Sequence, residues 1–564
     1  MPIEAARPAV RSWTARRRPG RRRARAVLPA VALAAAGLAA GILPGVPARA
    51  VDVTASQNSL RDGWDRTETG LTPAVLRSGR FHRLFSTAVN GQVYAQPVVA
   101  GRTLIVATTN DWVYGLNQAS GTIEWSRQLG TPWPITTATG CSLDMPDVGV
   151  LGTPVYDPGT GTVYLVSEVL PKRNSIKNPE FLLQAINAQT GAERPGWPVP
   201  ITGAPSNDPG RSFSPFSELQ RPGLLLLDGS VYAGFGGHCT MQPYTGYVAG
   251  VSTITRGLTM WADQAGPTYR GESGIWQSGS GLMSDGPGRI FLTTGNGTAP
   301  GPGPGDKPPL DLGDSVVQLG VQPDGTLHAQ DFFSPANAPY LGANDDDLGS
   351  GGPVGLPFGS AAYRHLLVQS GKDGRVFLLN RDSLGGREQG PHGTDDVVSV
   401  SGPYAAHGQW GHPAVFGNTA TLTRSNQAKS QDYVYYLDKN DYLRVLKLGL
   451  NPAGRPVLSD VASTTVSYPG SSGSPVLTSN GDTLSSAVVW EVSFSGKLDA
   501  YPAIPPAGCT GAAPCHLSPV WSASIGTAAQ FTIPATNGGR VYVGTSDGHV
   551  LAFGTRPSRR AKTG

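Results

Sequence analysis

From Tyr94 onward the chain alternates short apolar runs with turns centred on Gly, Asn or Asp. The clearest copy is YAQPVVAGRTLIVATTNDWVYGLNQASGTIEW, from Tyr94 to Trp125. It predicts strands at Gln96–Val99, Thr103–Thr108 and Trp112–Leu116, and a fourth ending at Trp125. The turns fall at Gly101, Asn110-Asp111 and Ser120-Gly121. Four short strands joined by tight turns make one blade of a β-propeller.

The same unit recurs behind a small or rigid residue that opens the first strand: Pro97, Pro154, Pro222, Gly281, Pro353, Pro413, Pro475 and Pro534. These anchors lie 57 to 72 residues apart. That is longer than the roughly 40–50 residues of common propeller repeats, so the excess belongs in loops. Eight anchors predict an all-β fold, a single closed propeller of eight four-stranded blades. Pro222 and Gly281 are the weaker anchors, which keeps seven or nine blades open. The last unit, Arg540–Gly554, supplies strands and then the repeat stops. The segment before the first anchor, Arg80–Val89, is a spare strand and is expected to complete the last blade, leaving no open sheet edge.

Composition agrees. The chain holds 75 Gly and 49 Pro in 564 residues, as a turn-rich protein requires. No long stretch after the leader has helical periodicity. Residues 76–554 are expected to form one propeller, residues 51–75 an extended, poorly ordered lead-in, and residues 555–564 a basic disordered tail.

The N-terminus reads as a targeting segment. Arg16-Arg17-Arg18 and Arg21-Arg22-Arg23 precede the apolar, Ala-rich run Ala26–Val46, and Ala48-Arg49-Ala50 is a small-residue cleavage site. A signal peptide over 1–50, a mature start at Val51 and a secreted, extracellular protein follow, by the twin-arginine (Tat) or the general (Sec) route. After cleavage no membrane span is expected. Residues 1–50 carry ten Arg and one Glu, so a chain of net charge +4 becomes one of −5 without them. No broad basic patch is left to bind nucleic acid. The four cysteines suit an oxidising compartment. Cys509 and Cys515 are close enough to staple one loop, which would pair Cys141 with Cys239 across blades. No C-x-x-C-H is present, so no attached c-type haem is expected.

Several segments resemble the quinoprotein alcohol dehydrogenase-like superfamily and its PQQ repeats. NQASGTIEW (Asn117–Trp125) and INAQTGAERPGW (Ile186–Trp197) are similar to its turn-plus-Trp signature, in which the Trp locks neighbouring blades. The stretch Gly274–Gly386 carries GIWQSGSG, TTGNG, NDDDLGSGG and SGKDG. The resemblance implies a quinone in the central channel with a Ca²⁺ or similar ion beside it. By the same resemblance Glu168, Asn296, Asp345 and Asp347 would be metal ligands, and Asp347 a catalytic base. Lys372 would polarise the quinone and so be both catalytic and cofactor-binding, and Trp276 would floor the quinone pocket. The pair of adjacent cysteines common in such dehydrogenases is absent. His412, just before Pro413, is expected to line the channel as a further cofactor-binding residue.

These residues have plainer roles as well. Asn296 between two glycines suits a tight turn, Lys372 in KDG a turn, Trp276 the core, and Glu168 a strand end. Two functions therefore stand side by side. One is a PQQ- and Ca²⁺-dependent oxidoreductase on an alcohol or sugar, needing an external electron acceptor. The other is a non-catalytic extracellular binding or scaffold propeller for a glycan, small-molecule or protein ligand. Either is expected to be a monomer.

Overall fold

A computed structural model of the protein describes residues 53–556 apart from 142–143, 173–174, 240, 268–270 and 406. The expected leader over 1–50, the start at Val51 and the tail beyond Arg556 lie outside the described residues.

Eight small antiparallel sheets form a ring, and each sequence anchor stands just ahead of an innermost strand. Those strands are Val98–Ala100, Val155–Asp157, Leu225–Leu227, Val354–Gly355, Ala414–Phe416, Val476–Thr478 and Ala535–Asn537 in blades 1, 2, 3, 5, 6, 7 and 8. In blade 4 the inner strand shrinks to Met283, which bridges Phe291 of the next strand. This accounts for the weak anchor at Gly281, where glycine is required for room. A Cβ there would lie 2.7 Å from the Arg61 guanidinium carbon.

The ring closes as expected. Phe81–Ala88 pairs antiparallel with His549–Thr555, in register from Phe81 opposite Thr555 to Ala88 opposite His549. Apolar clusters run between neighbouring sheets: blade 8 meets blade 1 through Tyr542, Val550, Val99 and Leu104, and blade 3 meets blade 4 through Tyr232, Val248, Ile290 and Leu292. Each blade thus buries its faces against its two neighbours. Trp125 does what the repeat signature implies: its indole N–H, on the outer strand of blade 1, donates to Ala188 O of blade 2 at 3.1 Å. Disulfides join Cys141 to Cys239 and Cys509 to Cys515. Among the described residues no helix is long and apolar enough to cross a membrane.

The lead-in corrects the sequence expectation. From residue 53 it is not loose chain but a plug inside the ring. Ala55, Ser56 and Arg61 have no exposed surface. Backbone hydrogen bonds tie Val53 O to Tyr156 N, Leu60 O to Gly355 N, Asp62 O to Val415 N and Gly63 O to Leu477 N, reaching blades 2, 5, 6 and 7. Arg61 donates to Leu282 O and Leu224 O at 2.9 Å each, reaching blades 4 and 3. Ser56 N donates to Gln96 Oε1 beside blade 1, and Gln57 Nε2 donates to Thr536 Oγ1 in blade 8. A polar segment is tolerated at zero exposure because its backbone groups are paired in this way.

Strand direction separates the two ends of the ring. The second strand of each blade runs antiparallel to the inner one, so the loop after a second strand lies at the end where inner strands begin. We call that end the upper face. The plug lies along the inner strands, from Gln96, Leu224 and Leu282 just ahead of them to Val415, Leu477 and Thr536 within them.

Candidate functional site

Three upper-face loops converge. Asn296 follows the second strand of blade 4, Arg289–Thr293, and Lys372 follows that of blade 5, Leu366–Ser370. Asp345 and Asp347 come from the segment ahead of Val354–Gly355. Asp345 caps the short helix Ala338–Asn344 in the left-handed region at φ 58°, a conformation Asp tolerates well.

Asp347 Oδ1 accepts the backbone N–H of Asn296 at 2.7 Å, and its Oδ2 meets Lys372 Nζ at 2.5 Å. The same ammonium reaches Asp345 Oδ1 at 2.8 Å, and Asn296 Nδ2 donates to that oxygen at 2.9 Å. Lys372 N also donates to Asp347 O at 2.9 Å, so backbone and side chain fix the pair together. Trp276 stands beside them, half-buried, its indole N–H donating to Gly237 O at 2.6 Å. Gly295 is what lets the ring approach. A Cβ there would fall 2.5 Å from the Trp276 ring and 2.7 Å from Asp347 Oδ1. Burial pushes Asp347 above the usual carboxylate range, against the opposing pull of Lys372. For Lys372, burial pulls down, but Asp347 and Asp345 outweigh it and hold the ammonium above its ordinary value.

Five of the residues singled out in the sequence are therefore brought together: Trp276, Asn296, Asp345, Asp347 and Lys372. Two are not. Glu168 ends the second strand of blade 2 and is fully buried, and the carboxylate it senses is Asp111, none of the five. His412 sits deeper, on top of the plug. Its Nε2 is 2.6 Å from Ser56 Oγ and its Nδ1 2.9 Å from Pro413 O, so both ring nitrogens are engaged.

Other residues join the mouth without having been foreseen. Tyr244 meets Trp276 edge-on, with ring centroids 5.6 Å apart. Burial raises its phenol, and Asp347, Glu272, Asp345 and Glu218 add to the effect. Trp410 lies under two ammoniums, with Lys439 Nζ at 4.4 Å and Lys372 Nζ at 4.9 Å from its ring centre. Asp314 accepts Leu348 N–H at 2.9 Å, and burial together with Asp347 lifts its carboxyl well above the ordinary range. Glu218 is paired in the sheet with Gly237, whose carbonyl holds Trp276, and its Oε2 is buried without a partner. It stands nearer the mouth than Glu168. Its one sequence signal is a carboxylate four residues ahead of the Pro222 anchor, where the chain turns into the channel.

The arrangement has two chemical offers. A planar, electron-poor ring would suit the half-buried indole of Trp276 beside a fixed ammonium. A hard cation would find Asn296 Oδ1, a buried acceptor without a partner, next to the carboxylates of Asp345 and Asp347. Lys372 already neutralises one of those charges. Among the described residues no group of three or more His, Cys, Asp or Glu is assembled to hold a metal ion. An ion here would rest on the amide and the two aspartates.

Comparison with known proteins supports the fold. The family model described as outer membrane protein assembly factor BamB matches residues 82–204. No curated protein matches the chain. Among solved structures, the quinohemoprotein alcohol dehydrogenase ADHIIG of Pseudomonas putida HK5 is similar at a TM-score of 0.57 and 13% identity. That match covers 91% of this chain and 82% of the other. A europium-containing methanol dehydrogenase is similar at a TM-score of 0.55 and 13% identity, covering 90% of this chain and 98% of the other. At such identities the likeness is one of fold. With eight closed blades, the Trp125 lock and the matched stretch over blades 1 and 2, the chain has a β-propeller fold similar to that of these quinoprotein dehydrogenases.

Proposed function

We propose that the protein is an exported quinoprotein-type oxidoreductase acting on an alcohol or sugar at the upper mouth of its channel. The observation that carries this reading is the meeting of Trp276, Asn296, Asp345, Asp347 and Lys372 at one point, from segments as far apart in sequence as 276 and 372. Pyrroloquinoline quinone with Ca²⁺, when bound, would supply the two-electron acceptor. The chain's own residues would do the rest. Trp276 would floor a flat ring. Lys372, held protonated by two carboxylates, offers a fixed positive charge to an oxygen gaining electron density. Asn296 Oδ1, Asp345 and Asp347 would hold the ion. Asp347, with its proton affinity raised by burial, would take the proton of a substrate hydroxyl. Substrate would enter from the upper mouth, above the plug, and a separate acceptor would collect the electrons.

The test is to mix the purified protein with PQQ and Ca²⁺ and follow an artificial dye with alcohols and sugars. Dye reduction that is lost in Asp347→Asn supports the reading. Absence of both PQQ binding and dye reduction removes it.

One observation favours a second reading. Lys372 and Asn296 already satisfy Asp345 and Asp347, so the cluster can stand without cofactor, as in a non-catalytic extracellular propeller that binds a glycan or protein. Specific binding on a glycan array, without turnover, would favour it. In either reading the leader 1–50 directs export and is cut before Val51, the propeller proper is 76–554, and the protein is a monomer. Both disulfides suit the oxidising compartment this implies. N-terminal sequencing and the mass of the secreted protein check that assignment.

A further inference from the structure

We propose that Asp111 and Glu168 form a second cation site, for a hard divalent ion such as Ca²⁺, that clamps blade 1 to blade 2. Asp111 lies in the upper turn between Thr103–Ala107 and Trp112–Asn117, and Glu168 near the end of Thr162–Val169. Both flank Gly149. A Cβ on Gly149 would lie 2.7 Å from Asp111 Oδ1, and Gly149 O accepts the backbone N–H of Glu168 at 3.0 Å. The turn is pinned, since Asp111 N donates to Thr108 O at 3.2 Å and Leu129 N donates to Asp111 O at 2.8 Å.

Independent of this placement is the state of the carboxylates. Asp111 is 0% exposed and Glu168 1%. All four of their oxygens are buried with no hydrogen-bond donor, and among the described residues no Lys or Arg pairs with either. Other buried acids in this ring differ. Asp263 accepts Thr245 Oγ1, Gly246 N and Ser273 Oγ. Glu491 lacks donors, but its neighbour Asp499 accepts Tyr468 and Ser522 hydroxyls, so no second free carboxylate faces it. Two facing carboxylates with no donor between them are costly to bury. A hard cation needs oxygens and nothing else, so the pair matches it. The site shares no residue with the channel cluster, which lies between blades 4 and 5.

The test uses the mature full-length protein, stripped with a chelator and titrated with Ca²⁺ alone. The expected result is a rise in the thermal midpoint that is retained by Asp347→Asn and lost in the double variant Asp111→Asn, Glu168→Gln. Calorimetric affinity should fall by about 100-fold in that double variant. A wild-type protein with no Ca²⁺ response overturns the proposal, as does a response unchanged in the double variant or one abolished by Asp347→Asn. Should the double variant fail to fold, Tb³⁺ luminescence decides in the Asp347→Asn background. Emission sensitised by Trp112, next to Asp111, and displaced by Ca²⁺ supports the site, and its absence overturns it.

Discussion

Ser56 Oγ and His412 Nε2 lie 2.6 Å apart although 356 positions separate them in sequence. Because Nδ1 faces the Pro413 carbonyl, that nitrogen carries the proton and Nε2 accepts from the Ser56 hydroxyl. Burial, aided by the Arg61 guanidinium and opposed by the Pro413 carbonyl, lowers the imidazole to about 4. The unfolded chain takes up a proton near 6.5 and the folded one not until about 4. This contribution to stability is therefore intact above about pH 6.5 and lost as pH falls towards 4, by about 3 kcal/mol in all. Thermal melts between about pH 7 and pH 4 check it. The wild-type midpoint should fall relative to His412→Gln across that window, whereas parallel curves would show that His412 does not sense pH through the plug.

Lys372 and Asp347 are both largely shielded, with side chains 12% and 8% exposed. Lys372→Met leaves Asp347 buried with a backbone donor but no counter-charge, and should cost about 3–5 kcal/mol. Adding Asp347→Asn removes the stranded charge and should restore most of it. A double-mutant cycle by denaturant unfolding measures the coupling. Additive losses would mean the ion pair contributes nothing.

Gly295→Ala tests the mouth without removing a charged group. The added methyl would meet the Trp276 ring and Asp347 Oδ1, so the ring must tilt or the loop shift. The expected outcome is altered tryptophan fluorescence and weakened PQQ binding, with the unfolding transition still cooperative. Unchanged quinone affinity would place the quinone away from Trp276.

Ring closure has its own probe in Phe81, which is 3% exposed, with ring centres 4.9 Å from Trp521 and 5.6 Å from Trp490. Phe81→Ala should cost about 3–5 kcal/mol. Deleting Arg80–Val89 should lower the thermal midpoint of the whole ring rather than of one blade. A midpoint unaffected by that deletion would show that the closing strand is dispensable.

Much of this was legible because it is local. A proline or glycine ahead of each apolar run marks the inner strand, and the family resemblance of the Asn-Gly and Lys-Asp-Gly turns assigned Asn296 and Lys372 to one site. What could not be read depends on which blades meet. Glu168 and Glu218 are both glutamates near strand ends, and only the sheet pairing of Glu218 with Gly237 sets one of them beside Trp276. The lead-in looked like loose chain because its residues are polar. Its partners, from Tyr156 to Thr536, exist as a surface only once the ring is closed. His412 was placed in the channel, but its neighbour there, Ser56, came from that misread segment.

Closure by Phe81–Ala88 and His549–Thr555 also sets when the protein can fold. The first strand of the ring waits for the last one made, and the plug waits for the ring. A chain stopped short of His549 cannot settle as a smaller propeller. It presents Phe81–Ala88 as a bare strand edge and an unfilled hole, both ready to pair with other chains. Completeness of synthesis is thereby written into the fold as a condition for solubility.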